Sequence, residues 1–179
     1  MEFTENNQGI ELRFEDRELI MSIDGVDVEI EFLDSSCRRV YRYKDHVIKI
    51  DVTQSFQQSK MEVEFYFNDL DEEDEEFFLE PTAWGEISSE GWGEIGRNNC
   101  SCDACVKARG EVTASGNPKF YTMQWVRQDY VKIRHEEHGG DIHPDIEKLM
   151  NKYEMNDIYS DKNWGFVEGV PLVYDSYSN

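Results

Sequence analysis

Residues 163–175, NWGFVEGVPLVYD, set an Asn and an Asp at the two ends of a short stretch that turns back at Glu168-Gly169. An amide oxygen and a carboxylate brought together in this way suit Mg²⁺, a hard cation that prefers oxygen ligands. Asn163 and Asp175 are therefore the candidate metal pair. Far upstream, Lys49 stands in the apolar run HVIKID. Each residue has a plainer use. Asn163 shapes a turn, Asp175 solubilises the end of the chain, and a strand lysine snorkels to an edge. Only their joint order along the chain separates the two uses.

A second cluster, CSCDAC, spaces Cys100, Cys102 and Cys105 as C-x-C-x-x-C. Three thiolates are one ligand short of a tetrahedral zinc site, which Cys37, His135 or His138 would complete. Zinc sites more often carry two C-x-x-C pairs, and that favours thiols in a loop. HEEH at 135–138 lacks the spacing of a metalloprotease helix. The run from Asp69 to Glu80 packs eight carboxylates into twelve residues. They cannot be buried together, because an unpaired buried charge costs several kcal/mol. The expected form is a solvated turn or a docking surface, with Glu72, Glu73, Asp74, Glu75 and Glu76 as the docking residues.

The composition narrows the partners. Lys and Arg number 18 against 39 Asp and Glu, a formal net charge of −21. Binding nucleic acid through its phosphates needs cations that this chain lacks, whereas a protein with a basic surface would be drawn in. Residues 97–134 are the exception, with seven basic residues against three acidic ones; they would grip an acidic partner or the rest of the chain. Hydrophobic residues at 39% and aromatics at 13% supply a core, which argues against disorder. No apolar run reaches the roughly 20 residues of a membrane-spanning helix, and MEFTENNQG has no signal-like pattern. The expected location is the cytoplasm, with the cysteines reduced.

The hydrophobic pattern predicts the secondary structure on which these residues are carried. Residues 10–33 alternate apolar and polar positions, with Asp24-Gly25 as a hairpin dipeptide. RRVYRY and HVIKID read as two strands joined at Lys44-Asp45. Residues 55–70 lack Gly and Pro and carry Phe56, Val63, Phe67 and Leu70 at helical spacing, which predicts a helix. FFLEPTAWGEI and KFYTMQWV read as strands around a Gly-, Ser- and Asn-rich insertion at about 88–118. HPDIEKLMNKYEM is a helix with Pro144 in its first turn and Asp141 or His143 near its cap. The fold class is α+β. Residues 1–126 form an N-terminal antiparallel sheet with the 55–70 helix packed on it. Residues 127–179 form a very small helical portion with the terminal hairpin.

This order resembles the protein-kinase fold, in particular the short kinase-like proteins of phages and bacteria. The likeness covers about residues 30–177 and rests on four pieces. They are the strand-turn-strand FLDSSCRRVYRY, the lysine strand HVIKID, a helix with Glu62 and Glu64, and DIYSDKNWG followed by VYD. The resemblance implies that Lys49 meets the α- and β-phosphates of ATP and that Glu62, or failing it Glu64, orients the lysine. It implies adenine beside Val47 and along a hinge at Met123–Val126, so that Val47, Met123 and Trp125 are nucleotide-binding residues. It implies Mg²⁺, carried with ATP, on Asn163 and Asp175, and Asp157 as catalytic base.

Three features depart from that pattern. LDSSCRR has no glycine to let the backbone approach a phosphate, and Asp34 sets a negative charge there. The position five before Asn163 is Ile158, which puts Asp157 one residue too far back. Only four residues follow Asp175, where a protein kinase carries its peptide-binding segment. The implied function is a degenerate kinase-like nucleotide-binding protein, a phage or bacterial accessory protein. An inactive pseudokinase is at least as well supported as an ATP-dependent phosphotransferase. From a different class comes a non-catalytic acidic interaction protein, a DNA mimic or counter-defence inhibitor, that occupies the basic surface of a partner.

Overall fold

The computed structural model describes residues 3–35, 37–52, 57–92, 103, 106–107, 122–134, 141–155 and 163–174. Strands β1 (Ile10–Glu15), β2 (Glu18–Ile23) and β3 (Val26–Val28) form an antiparallel meander. Asp24 and Gly25 connect β2 to β3 with φ of 49° and 81°, the paired left-handed residues of a tight hairpin turn. A second, five-stranded sheet contains β4 (Glu31–Ser35), β5 (Arg38–Tyr43), β6 (His46–Asp51), β7 (Ala83–Ser88) and β8 (Thr122–Asp129). Its order is β4-β5-β6-β8-β7, antiparallel throughout. β5 and β6 are joined at Lys44-Asp45 as expected, with Tyr43 opposite His46. The sheet runs through residue 129.

Side chains alternate across each strand, so β6 serves two environments. Ile48 and Ile50 enter a core with Ile10, Phe14, Met21 and Trp125, where the meander covers one face of the five-stranded sheet. Val47 and Lys49 point the other way, into a cleft.

That second face carries α1 (Gln58–Glu64), continued by a π-helical turn at Phe65–Asp69. Asp51, the last residue of β6, accepts hydrogen bonds from the Ser59 amide at 3.2 Å and the Ser59 hydroxyl at 2.8 Å. The start of the helix is thereby tied to the strand before it. The buried stripe of α1 is Gln58, Ser59, Glu62 and Val63, mostly polar. This differs from the apolar stripe expected over 55–70. The π turn adds a residue to the helical repeat and rotates the side chains beyond it. Phe65 is buried, while Phe67 is 47% exposed and lies against Trp84.

A 3-10 helix spans Glu72–Phe77, and α2 spans Pro144–Tyr153. Pro144 opens α2, and His143 caps it by accepting from the Asp145 amide at 3.2 Å. The hairpin β9 (Trp164–Val167) and β10 (Val170–Val173) turns at Glu168 and Gly169, with φ of 51° and 84°. Ile146, Leu149 and Met150, one turn apart on α2, pack with Trp164, Phe166 and Val173 into a second core. Phe65 and Phe78 enter the same core and fasten it to the end of α1. The molecule is thus α+β: an N-terminal antiparallel region, one packed medial helix, and a small C-terminal helix with a hairpin. Among the described residues no helix is long and apolar enough to cross a membrane.

Candidate functional site between the sheet and the terminal hairpin

A cleft of about 640 Å³ opens where the α1 face of the five-stranded sheet meets the terminal hairpin, within the size range of small-molecule sites. Val40, Val47, Leu79, Val131 and Ile133 give it apolar walls. Arg38, Lys49, Gln58 and Asn163 bring polar groups into it, and all four are buried.

Glu62 sits behind these groups, 3% exposed. Its Oε2 accepts from Arg38 Nη1 at 2.5 Å, and its Oε1 accepts from Gln128 Nε2 at 3.0 Å and lies 3.5 Å from Lys49 Nζ. Burial pushes the Glu62 carboxyl up, but the Arg38 and Lys49 charges and the bonds from Arg38 and Gln128 outweigh it and hold the pKa below the ordinary range. Glu62 is therefore an anion in the folded protein. Of the two helix glutamates named by the resemblance, Glu62 meets Lys49; Glu64 instead faces Lys60 at 3.8 Å.

The terminal hairpin completes the cleft. Val173 pairs with Trp164, and one step outward the Tyr174 amide donates to the Asn163 carbonyl at 3.0 Å. Asn163 and Tyr174 therefore leave the hairpin side by side, both lining the cleft. The Tyr174 carbonyl accepts a hydrogen bond from Lys49. Asn163 is 8% exposed and carries the kind of hard oxygen that Mg²⁺ prefers. Its proposed companion Asp175, next in the chain after Tyr174, lies outside the described residues.

Across the cleft, β4 pairs with β5 until the register shifts between Phe32 and Asp34. Such a bulge re-aims side chains beside a site, and Leu33, Asp34 and Cys37 line the cleft here. Asp34 and Asp129 also border the cleft, but the Asp129 carboxylate lies 3.2 Å from His46 Nδ1, its partner across β6 and β8.

Other residues singled out from the sequence fall elsewhere. Met123 and Trp125, each 1% exposed, belong to the N-terminal core on the opposite face of the sheet. Met123–Val126 is not a hinge: Trp125 and Val126 are paired to β6 on one side and β7 on the other, which occupies their backbone groups. The segment that leaves β8 and borders the cleft comes later, at Asp129, Tyr130, Val131 and Ile133. Asp157, the cysteines Cys100, Cys102 and Cys105, His135 and His138 lie outside the described residues.

The acidic run is also sorted by the fold. Glu72, Glu73, Glu75 and Glu76 are exposed or partly so, but Asp74 turns inward at 6% exposure. It accepts from Lys152 Nζ at 2.6 Å and from the Tyr153 hydroxyl at 2.7 Å. Asp74 is thus a structural anchor for α2 and leaves the docking set. Asp71, Glu73 and Asp74 bring carboxylate oxygens within 4.8 Å of one another. The Lys152 ammonium, 2.7 Å from Asp71 and 3.2 Å from Glu73, already supplies the positive charge there.

Arg38, Gln128 and Asp51 were not singled out from the sequence, although a signal existed. With Tyr43 and His46 flanking a two-residue turn, Val40 must face Lys49 and Arg38 must face Asp51. Arg38 therefore shares the lysine's side of the sheet. Comparison with family models, curated proteins and solved structures finds no match to this chain.

Proposed function

We propose that this protein binds a nucleotide with Mg²⁺ in the cleft, on a reduced kinase-like scaffold. One observation carries the reading: a strand lysine and a buried helix glutamate, Lys49 and Glu62, stand 3.5 Å apart beside a cleft that also receives Asn163. In protein kinases a lysine on the third strand and a glutamate on the following helix serve the ATP phosphates, and an Asn and an Asp hold the metal. Lys49 is on the third strand of the five-stranded sheet, and Glu62 is on the helix that comes next. Val47 is a wall against which a flat base would pack, with the residues after β8 as the opposite border. Bound Mg²⁺ would neutralise phosphate charge, with Asn163 and Asp175 as its protein ligands. Transfer of a phosphoryl group needs a base in addition, for which Asp157 is the sequence candidate.

The test is a thermal melt with and without ATP·Mg²⁺. At about 100 times its dissociation constant a ligand stabilises by roughly 2.7 kcal/mol, a readily seen rise. An unchanged melting temperature at millimolar nucleotide would contradict the proposal.

The acidic-partner alternative keeps one specific support: Glu72, Glu75 and Glu76 project from a single 3-10 helix with their side chains outward. A basic protein that protected this helix, and left the cleft unaffected, would favour that reading.

A further inference from the structure

Glu62 is shared unequally between two cations. The Arg38 contact is a short, charge-assisted hydrogen bond of 2.5 Å, whereas Lys49 stands at 3.5 Å and also donates to the Tyr174 carbonyl. We propose that Arg38 is a positioning residue, which holds the Glu62 carboxylate so that Lys49 can move to an anionic ligand without stranding a buried charge.

Breaking one partner from a buried ion pair is costly, because the other is left without compensation. A lone Lys49–Glu62 pair would resist any ligand that pulled the ammonium forward. Arg38 removes that obstacle. Its guanidinium cannot lose its proton, and its place is set by the sheet: Arg38 lies opposite Asp51, two residues along β5 from Val40, which lies opposite Lys49. Gln128, paired with Val47 on β8, holds the other carboxylate oxygen and is itself anchored on the Leu79 carbonyl at 3.0 Å. The carboxylate is therefore fixed from β5 and β8, leaving the β6 lysine as the adjustable member. The absence of glycine in the β4–β5 connection gives this division of labour a purpose. Without a glycine to ease close backbone approach to an anion there, the lysine side chain must do more of the reaching.

The identity of the anion as a nucleotide rests on the function proposed above; the role of Arg38 does not. Both experiments are accordingly read on the protein without nucleotide. In Arg38→Met, Lys49 becomes the sole cation against Glu62. An amine reacts only when uncharged, so its acylation by an N-hydroxysuccinimide ester, followed by peptide mass spectrometry against Lys60 as internal reference, should slow by about tenfold. Loss of structure would expose the lysine and speed labelling instead. Arg38→Lys should restore the wild-type rate to within about threefold, and in a Glu62→Gln background Arg38→Met should slow labelling much less. In Lys49→Met, amide exchange through α1 should stay within about twofold of wild type, because Arg38 still holds Glu62. Unchanged or faster labelling of Lys49 in folded Arg38→Met would overturn the proposal, as would slowing that persists undiminished with Glu62→Gln. Exchange through α1 quickened about tenfold by Lys49→Met would overturn it independently, whether or not Arg38→Met folds.

Discussion

The Lys49 ammonium donates to the backbone carbonyl of Tyr174, 125 residues further along the chain. This contact fastens the terminal hairpin to the central strand of the N-terminal sheet and closes one side of the cleft. Replacing Lys49 by Met removes the charged donor of that hydrogen bond and should loosen the end of β10 more than it loosens α1. Hydrogen exchange at the β9–β10 amides is expected to quicken by about tenfold, the effect of roughly 1.4 kcal/mol of local stability. Equal rates in the hairpin of wild type and variant would show that its own core contacts suffice.

Glu62 and Lys49 should differ sharply in what their loss costs. Glu62→Ala removes the carboxylate that Arg38 and Lys49 share while both stay buried, a change expected to cost on the order of 3–5 kcal/mol. Lys49→Met leaves Glu62 with Arg38 and Gln128 and should cost much less. Urea unfolding of both variants measures the difference. Equal losses would mean that Lys49, and not Arg38, carries the neutralisation of Glu62.

Asp51 predicts a pH dependence. Burial pushes its carboxyl up from 3.8 to about 7, against the Arg38 charge and the Ser59 hydrogen bonds, which favour the ionised form. The folded state therefore holds a proton that the unfolded chain releases. Stability from this group is complete below about pH 4 and is lost as pH rises to about 7. The span corresponds to roughly 4 kcal/mol. Asp51→Asn keeps an acceptor for Ser59 but cannot titrate, so its stability relative to wild type should rise between those two pH values. A difference that stays flat, or falls with pH, would refute the assignment.

Much of the frame was legible because local rules decide it. Two-residue turns at Asp24-Gly25, Lys44-Asp45 and Glu168-Gly169 specify hairpins whatever the rest of the chain does. Pro144 and the spacing of Ile146, Leu149 and Met150 specify α2 in the same way. The cleft was legible only in part. Lys49, Glu62, Val47 and Asn163 could be named from their order, and the fold brings them to one region. The polar stripe of α1 could not, because hydrophobic periodicity is blind to a helix that buries Gln58, Ser59 and Glu62. The π turn that exposes Phe67 leaves no local mark either. Met123 and Trp125 were misplaced for a simple reason: the strand continues to Asp129, and strand ends depend on pairing partners far away in sequence.

The acidic 3-10 helix separates into two classes of residue. Replacing Glu72, Glu73, Glu75 and Glu76 together by Gln relieves repulsion among exposed charges and should leave stability unchanged or slightly raised. Asp74→Ala should destabilise by about 1.5–3 kcal/mol, because it deprives Lys152 and Tyr153 of a charged acceptor. The Asp74 carboxyl is pushed up by burial but held below its usual range by the bonds from Lys152 and Tyr153. Its contribution is accordingly present at neutral pH and lost as pH falls. Thermal melts of the two variants at neutral pH make the comparison, and a larger loss in the four-fold Gln variant would invert the assignment.

The central claim, a nucleotide site in the cleft, is tested most directly by mapping backbone amide chemical shifts on titration with ATP·Mg²⁺. Perturbations are expected to concentrate at Val47, Lys49, Val131, Asn163 and Tyr174. They should spare the meander β1–β3 and the helix Glu72–Phe77. Saturating nucleotide that leaves the cleft amides unmoved, or that shifts only residues outside them, would contradict it.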